Sequence, residues 1–273
     1  MNNKYGKNIF VTGASSGIGK ACAIEFAKNG CRVVGVSRTI AEGTETFPGG
    51  GTLTRKRLDI TDEAAAKDFV EALSDIDIAI LCAGMGVAGP AESTPMELTR
   101  RQMEVNYFGT LNVAGPVLKR MREKGRGLLI IIGSIAGRVP IPMQSQYSSS
   151  KYALEAYVDA VRMEMKRFGV KATIIEPGDT KTGFTDARVT DESEGGTEAY
   201  GSVVRKSVAK MARDEQKGRG PESVAKVAWK LACKADPPAR VPVGFEYKAL
   251  MQLLRIMPDR AKEAILSKMY LPK

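Results

Sequence analysis

The sequence predicts a doubly wound α/β fold, a parallel sheet with helices on both faces, and three observations carry that expectation. Apolar runs rich in β-branched residues recur at 8–12, 32–36, 76–81, 128–133 and 170–175, each followed by glycine or turn residues. The runs are continuous rather than alternating, as in strands buried on both faces. Segments of helical period separate them, and helices that join parallel strands make right-handed crossovers. With 273 residues, 43% apolar and 26% charged, the chain can bury a full core, and one domain over 1–273 is expected.

The first strand runs into Thr12-Gly13-Ala14-Ser15-Ser16-Gly17-Ile18-Gly19, followed by an amphipathic helix to about Lys28. Glycines let the backbone approach a pyrophosphate, while free N–H groups and the helix dipole favour its negative charge. A Rossmann-type nucleotide site is therefore expected on Gly13, Ser15, Ser16, Gly17, Ile18 and Gly19. The second strand ends in Val36-Ser37-Arg38, where a dinucleotide fold meets the adenosine ribose. A carboxylate there would suit NAD; Ser37 and cationic Arg38 favour NADP(H), with Arg38 paired to the 2′-phosphate and helped by Ser15 or Ser16. From Thr39 to Gly51, three consecutive glycines and a proline imply that the next crossover helix is short or missing. Asp59-Ile60 closes the third strand and Cys82-Ala83-Gly84 the fourth, both at the carboxyl edge where adenine and ribose would lie. Asp59 can also cap the helix that begins near Asp62.

Tyr147-Ser148-Ser149-Ser150-Lys151 places Tyr and Lys four apart, on one face of a predicted helix. That spacing alone is weak; its context gives it meaning. A free phenol ionises near a pKa of about 10, and an adjacent ammonium such as Lys151 stabilises the phenolate. Ser134, just after the strand that ends at Gly133, can donate to a carbonyl oxygen held near Tyr147. Asn106 lies inside a predicted helix, where Asn is unfavourable, which suggests a polar task. The sequence has no histidine, which excludes Ser-His, Cys-His and His-ligated metal chemistry, and no metal site is expected.

From Asp179 to Gly220 the chain is polar and glycine-punctuated, includes DESEGG at 191–196, and follows a strand end where such sheets bind ligands. It reads as a mobile substrate lid over 179–220. A C-terminal helical extension follows over 246–273, its first helix stopping at Pro258. Its apolar side, with Leu250, Met251, Leu253, Leu254, Ile256 and Met257, is expected to pack within the protein; the alternatives are oligomer contact and a membrane surface.

Taken in order, TGASSGIG, Asp59-Ile60, Cys82-Ala83-Gly84, Asn106, Ser134, YSSSK and Pro177-Gly178-Asp179-Thr180-Lys181-Thr182 make the chain resemble the single-domain short-chain dehydrogenase/reductases from end to end. The resemblance implies that Asn106 organises a water linking Lys151 to solvent and that Lys151 also holds the nicotinamide ribose. It implies that Thr180 and Thr182, in the turn with Pro177 and Gly178, contact the nicotinamide side, and that the segment after Thr182 is a lid. Cys82 departs from the asparagine common in the family, which puts the rigidity of that turn in question. Within the family, the stretch from Cys82 to Pro90, the segment YSSSKYALEAY and the helical tail look most like hydroxysteroid dehydrogenases, retinol dehydrogenases and keto-lipid reductases. Those proteins share bulky apolar substrates, and Met251, Leu254, Ile256 and Met257 are candidates to line such a cleft. A homodimer or homotetramer through the helices near 99–122 and 147–168 is implied as well.

The formal charge of +10 raises the question of nucleic acid, especially with Lys119, Arg120, Arg122, Lys124 and Arg126 close together. These charges interleave with Glu and lack aromatic stacking partners, so they read as a solvated surface and no nucleic-acid partner is expected. No run approaches the roughly 20 apolar residues of a spanning helix. The N-terminus shows no export signal, and the four cysteines are widely separated without a CxxC, which points to free thiols in the cytoplasm. The expected function is an NADP(H)-dependent exchange of hydride between nicotinamide and an alcohol/ketone pair. An NADP(H)-binding redox-sensing regulator is the alternative, opposed by the complete set of Asn106, Ser134, Tyr147 and Lys151.

Overall fold

The computed structural model describes residues 2–190 and 194–271, with the backbone alone over 194–198. Strand β1 (Asn8–Thr12) leads into helix α1 (Gly17–Lys28), and β2 (Arg32–Ser37) returns parallel to it with Ile9 opposite Val33. The expected gap in the next crossover is a hairpin. Strand β3 (Gly43–Thr46) runs antiparallel to β4 (Thr52–Arg57), turning through Gly49 and Gly50, both at positive φ. At Gly51 a Cβ would lie 1.9 Å from the Ala27 carbonyl oxygen, so this glycine lets the hairpin pass the end of α1.

Helix α2 (Glu63–Ala72) precedes β5 (Ile78–Leu81) and the two-residue β6 (Val87–Ala88). Helix α3 (Met96–Met103) passes through a π-helical turn at Glu104–Phe108 into α4 (Gly109–Lys124). Then come β7 (Gly127–Ile132), α5 (Ser145–Met165), β8 (Val170–Pro177), β9 (Val189–Thr190) and α6 (Glu194–Lys217). Helix α7 (Pro221–Ala232), β10 (Arg240–Val243), α8 (Phe245–Ile256) and α9 (Asp259–Tyr270) complete the chain.

The main sheet has the order β10-β8-β7-β5-β1-β2-β4-β3, parallel throughout except for the edge strand β3. Chain order reverses at β1, which has β2 on one side and β5 on the other, so the crevice lies at the carboxyl ends of β1 and β5. Alternate residues feed two cores, as the strand pleat requires. Ile9, Val11, Ile78 and Ile130 pack toward α1 and α7; Phe10, Ala79, Leu129 and Ile131 pack toward α4 and α5. The predicted doubly wound fold is the one observed.

Much of the basic cluster ties elements together. Lys124 bridges Asp75 and buried Asp77, while Arg120 donates to the carbonyl oxygens of Glu71 and Ser74. The C-terminal extension packs on the loop after Ser134, with Met251 and Leu254 buried beside Ile135 and Val139. Ile256, expected as a cleft-lining residue, is instead 81% exposed, because it falls on the opposite side of α8 from Met251 and Leu254. Leu253 also faces outward. No helix among the described residues is long and apolar enough to cross a membrane, and none of their Cys, Asp and Glu side chains cluster as a metal site.

Candidate active site

The glycine turn after β1 is built by close contacts. A Cβ on Gly13 would lie 2.9 Å from the Ala83 amide nitrogen, and one on Gly19 would lie 2.3 Å from the Gly13 oxygen. Thr12 Oγ1 accepts from the amides of Cys82 (3.0 Å) and Ala83 (3.2 Å), joining the ends of β1 and β5. These two bonds tie down the turn at Cys82, and the Gly19 backbone lies near the Cys82 thiol. Burial pushes that thiol up to about 12 despite the neighbouring Lys151 charge, so it is a neutral packing group. Ser16 begins α1 without bonding its hydroxyl to the helix, and the first turn carries no acid. The helix N-terminus is thus free to receive an anion.

Ser37 Oγ, at the end of β2, is buried without a partner, and Arg38 beside it is exposed with none among the described residues. An orphaned hydroxyl and a free guanidinium at this edge fit a phosphorylated ribose. Asp59 does not cap α2. It accepts from the amide and hydroxyl of Thr61 (3.0 and 2.8 Å), while Asp62 caps the helix through the Ala65 amide. Ile60 is buried and its carbonyl accepts from Asn112 Nδ2 at 3.0 Å.

At the other end of the crevice, α5 presents Tyr147 and Lys151 one turn apart, with Lys151 Nζ 5.7 Å from the phenol ring centroid. Nζ donates to the Ile132 carbonyl at 3.0 Å, at the end of β7. Ser134, two residues later, lies near enough to favour ionisation of the Tyr147 phenol and accepts from the Ala136 amide at 3.1 Å. Burial pushes the phenol up to about 12, opposed by neighbouring Ser134 and the Arg188 charge and reinforced by Glu215. Burial likewise lowers Lys151 to about 8. Asn106 sits in the π-helical turn between α3 and α4, which explains an Asn in a helical run. Its Oδ1 accepts from the Met85 amide (2.8 Å), and Nδ2 donates to the Met85 carbonyl and to Ser150 Oγ, each at 3.0 Å. Gly84 packs between this amide and Lys151 Nζ: a Cβ there would lie 3.3 Å from Asn106 Oδ1 and 4.0 Å from Nζ.

After β8, a Cβ on Gly178 would fall inside the ring of Tyr247, whose hydroxyl accepts from the Asp179 amide (2.9 Å) and donates to Asp179 Oδ2 (2.7 Å). The C-terminal extension is thereby seated on the turn that also holds Pro177 and Thr180. Thr180 Oγ1 donates to the Gly178 carbonyl at 2.9 Å. Thr182 lies against Gly17 across the crevice, 3.4 Å from where a Cβ would stand. Phe184 covers Tyr147, ring centroids 5.6 Å apart, and fills the space left by the missing side chain of Gly86. In the expected lid, residues 191–193 of the DESEGG run lie outside the described residues, and α6 forms much of the remainder. The sequence reading missed Ser150, Phe184, Arg188, Glu215 and Tyr247, which reach the site through contacts distant in sequence or on a segment without periodicity.

One turn beyond Lys151, buried Glu155 meets buried Glu176. Arg240 donates to Glu155 Oε2 at 2.7 Å and Arg138 to Glu176 Oε1 at 3.2 Å. The remaining oxygens, Glu155 Oε1 and Glu176 Oε2, have no hydrogen-bond partner among the described residues, and the two carboxyls are near enough to act on each other's ionisation. Burial and Glu176 push Glu155 up to about 8. Its folded value is raised, so the stability it contributes is full below the usual carboxylate range and is lost as pH rises through about 8. Glu155→Gln should therefore gain thermal stability over the wild type at pH 9 relative to pH 5. Melting curves at both values check this, and a variant difference independent of pH would refute it.

The family model for short chain dehydrogenase matches residues 7–193. A 3-ketodihydrosphingosine reductase of Bacteroides thetaiotaomicron is 35% identical over 240 residues, covering 86% of this chain and 87% of that one. Among solved structures, a short-chain dehydrogenase from Streptomyces avermitilis superposes with TM-score 0.77 at 24% identity, covering 96% of each chain. A short-chain dehydrogenase/reductase from Burkholderia phymatum in complex with NAD also gives 0.77, at 18% identity, over 93% of this chain and 94% of that one. The glycine turn, the ordered strand-end motifs and these likenesses agree: the chain belongs to the short-chain dehydrogenase/reductase family of oxidoreductases.

Proposed function

We propose that the protein is an NADP(H)-dependent oxidoreductase that interconverts a secondary alcohol and its ketone, with a hydrophobic substrate. The observation that supports this most is the meeting of Ser134, Tyr147 and Lys151 at the crevice of the sheet, with Asn106 behind them. NADP(H), when bound, supplies or accepts the hydride at the carbonyl carbon. The chain's residues handle the proton and the oxygen. Tyr147 remains a protonated phenol through neutral pH and is set to donate to the ketone oxygen, with Ser134 as second donor. Lys151, still largely ammonium at pH 7, lowers the energy of the phenolate that remains. In the oxidative direction Tyr147 takes the proton back.

The preference for NADP(H) rests on Ser37 and Arg38. Arg38→Asp should lower kcat/KM with NADPH by roughly 10- to 100-fold, the loss of a charge-assisted pair, and narrow the preference over NADH. Equal use of both nucleotides by the wild type would overturn the assignment. The hydrophobic substrate is supported by the keto-lipid activity in the name of the Bacteroides relative and by apolar Phe184 over Tyr147. A screen of NADPH oxidation with steroids, retinoids, keto-sphingoid bases and simple ketones tests the reading, and no turnover across that panel would defeat it. Assembly into a homodimer or homotetramer is supported by exposed Phe108, Tyr152 and Met163, the last two eleven residues apart on one face of α5.

A further inference from the structure

Arg188 is an arginine buried behind Phe184, the ring that covers the reacting phenol, and among the described residues part of its guanidinium is unused. Its side chain is 2% exposed. Nη2 pairs with Glu215, which also accepts from Thr185 Oγ1, while Nε and Nη1 have no hydrogen-bond partner among the described residues. Such donors are costly to bury without an acceptor. The guanidinium carbon stands 5.9 Å from the Phe184 ring centroid, and Phe184 in turn lies over Tyr147. The position is held by the backbone: the Val189 amide donates to the Gly86 carbonyl at 2.9 Å, pairing β9 with β6. The charges of Arg188 and Glu215 both act on the phenol.

We propose that Arg188 is a specificity residue that donates from Nε and Nη1 to a second, uncharged oxygen of the substrate, so that the preferred ketone carries a hydroxyl or further carbonyl. This rests on the alcohol/ketone reading above. An uncharged acceptor follows from the pairing: Glu215 already neutralises the guanidinium, so an added carboxylate or phosphate would be a buried net charge. The pair thus supplies directed donors without net charge, which selects for geometry and against anions.

Calorimetric binding to the NADP⁺-loaded protein, where a ketone cannot be reduced and no probe carries an alcohol to be oxidised, tests this with 2-decanone, the isomeric decanediones that keep the 2-carbonyl, and 9-oxodecanoate. At least one diketone should bind roughly 10-fold or more tightly than 2-decanone, the value of a buried hydrogen bond to a charged donor. That ratio should collapse in Arg188→Met, and in Arg188→Met with Glu215→Gln, which leaves no unpaired carboxylate should the single variant fold poorly. A ratio near one in the wild type, a ratio that survives in a folded variant, or tightest binding by 9-oxodecanoate would overturn it. NADPH oxidation with the same ketones separates the two readings. Turnover without discrimination removes only the role of Arg188, whereas discrimination without turnover removes only the oxidoreductase.

Discussion

Tyr147→Phe is expected to lower kcat by roughly 10²- to 10⁴-fold, the usual worth of a positioned proton donor, while the affinity for NADPH stays close to that of the wild type. The substitution is narrow. It keeps the ring that packs against Phe184 and removes only the hydroxyl, which Ser134 neighbours. Even the loss of a neutral hydrogen bond would cost only about 1 kcal/mol, too little to unfold a domain of this size. A fall in kcat therefore reports proton transfer, provided NADPH fluorescence titration shows unchanged binding. Turnover within a few fold of the wild type would end the assignment of Tyr147 as donor. Because burial holds the phenol at about 12, the wild-type rate for reduction should not fall from loss of its proton below pH 9, and an inflection near 7 must come from another group.

What could be read from the sequence shares one physical property: it is encoded locally. Buried parallel strands appear as unbroken apolar runs, so β1, β2, β5, β7 and β8 were each placed within about two residues. The glycine turn, Ser134 and the pair on α5 follow strand ends or helical spacing in the same way. Strand β3 gave no signal because it is exposed along its whole length, with only β4 to specify it. Strand β10, with Arg240 and Pro242 in its four residues, is legible only once β8 is beside it. The site was incomplete for a similar reason. Arg188 and Glu215 are 27 positions apart and come together only when β9 pairs with β6. Glu155 was visible as a helical residue, but Glu176, at the end of a strand, gives it its chemistry. Tyr247 looked like part of an apolar tail, and only the absence of a side chain at Gly178 shows where its ring belongs.

Lys151→Met carries the second large effect and separates function from stability. Activity should fall by at least roughly 100-fold, because the phenolate left on Tyr147 would lose its adjacent positive charge. Stability should respond differently. Burial lowers Lys151 from 10.5 to about 8, so at neutral pH the folded protein carries its ammonium at a cost of about 3 kcal/mol relative to a solvated lysine. Met removes that cost and fits the apolar surroundings, but the Ile132 carbonyl loses its donor, a penalty of about 1–3 kcal/mol. The two nearly offset, so at pH 7 the variant should be no less stable than the wild type. The sign of the pH dependence is distinctive: with its folded value below its unfolded one, Lys151 makes the unfolded state hold more protons between pH 8 and 10.5. Wild-type stability accordingly gains from this group as pH rises through that window, and the variant has no such gain. The variant's melting temperature minus that of the wild type should therefore fall from pH 8 to pH 10, other titrations cancelling in the difference. A flat difference would mean that Lys151 is not destabilised by burial, and full activity in the variant would mean that its charge does not serve the phenol.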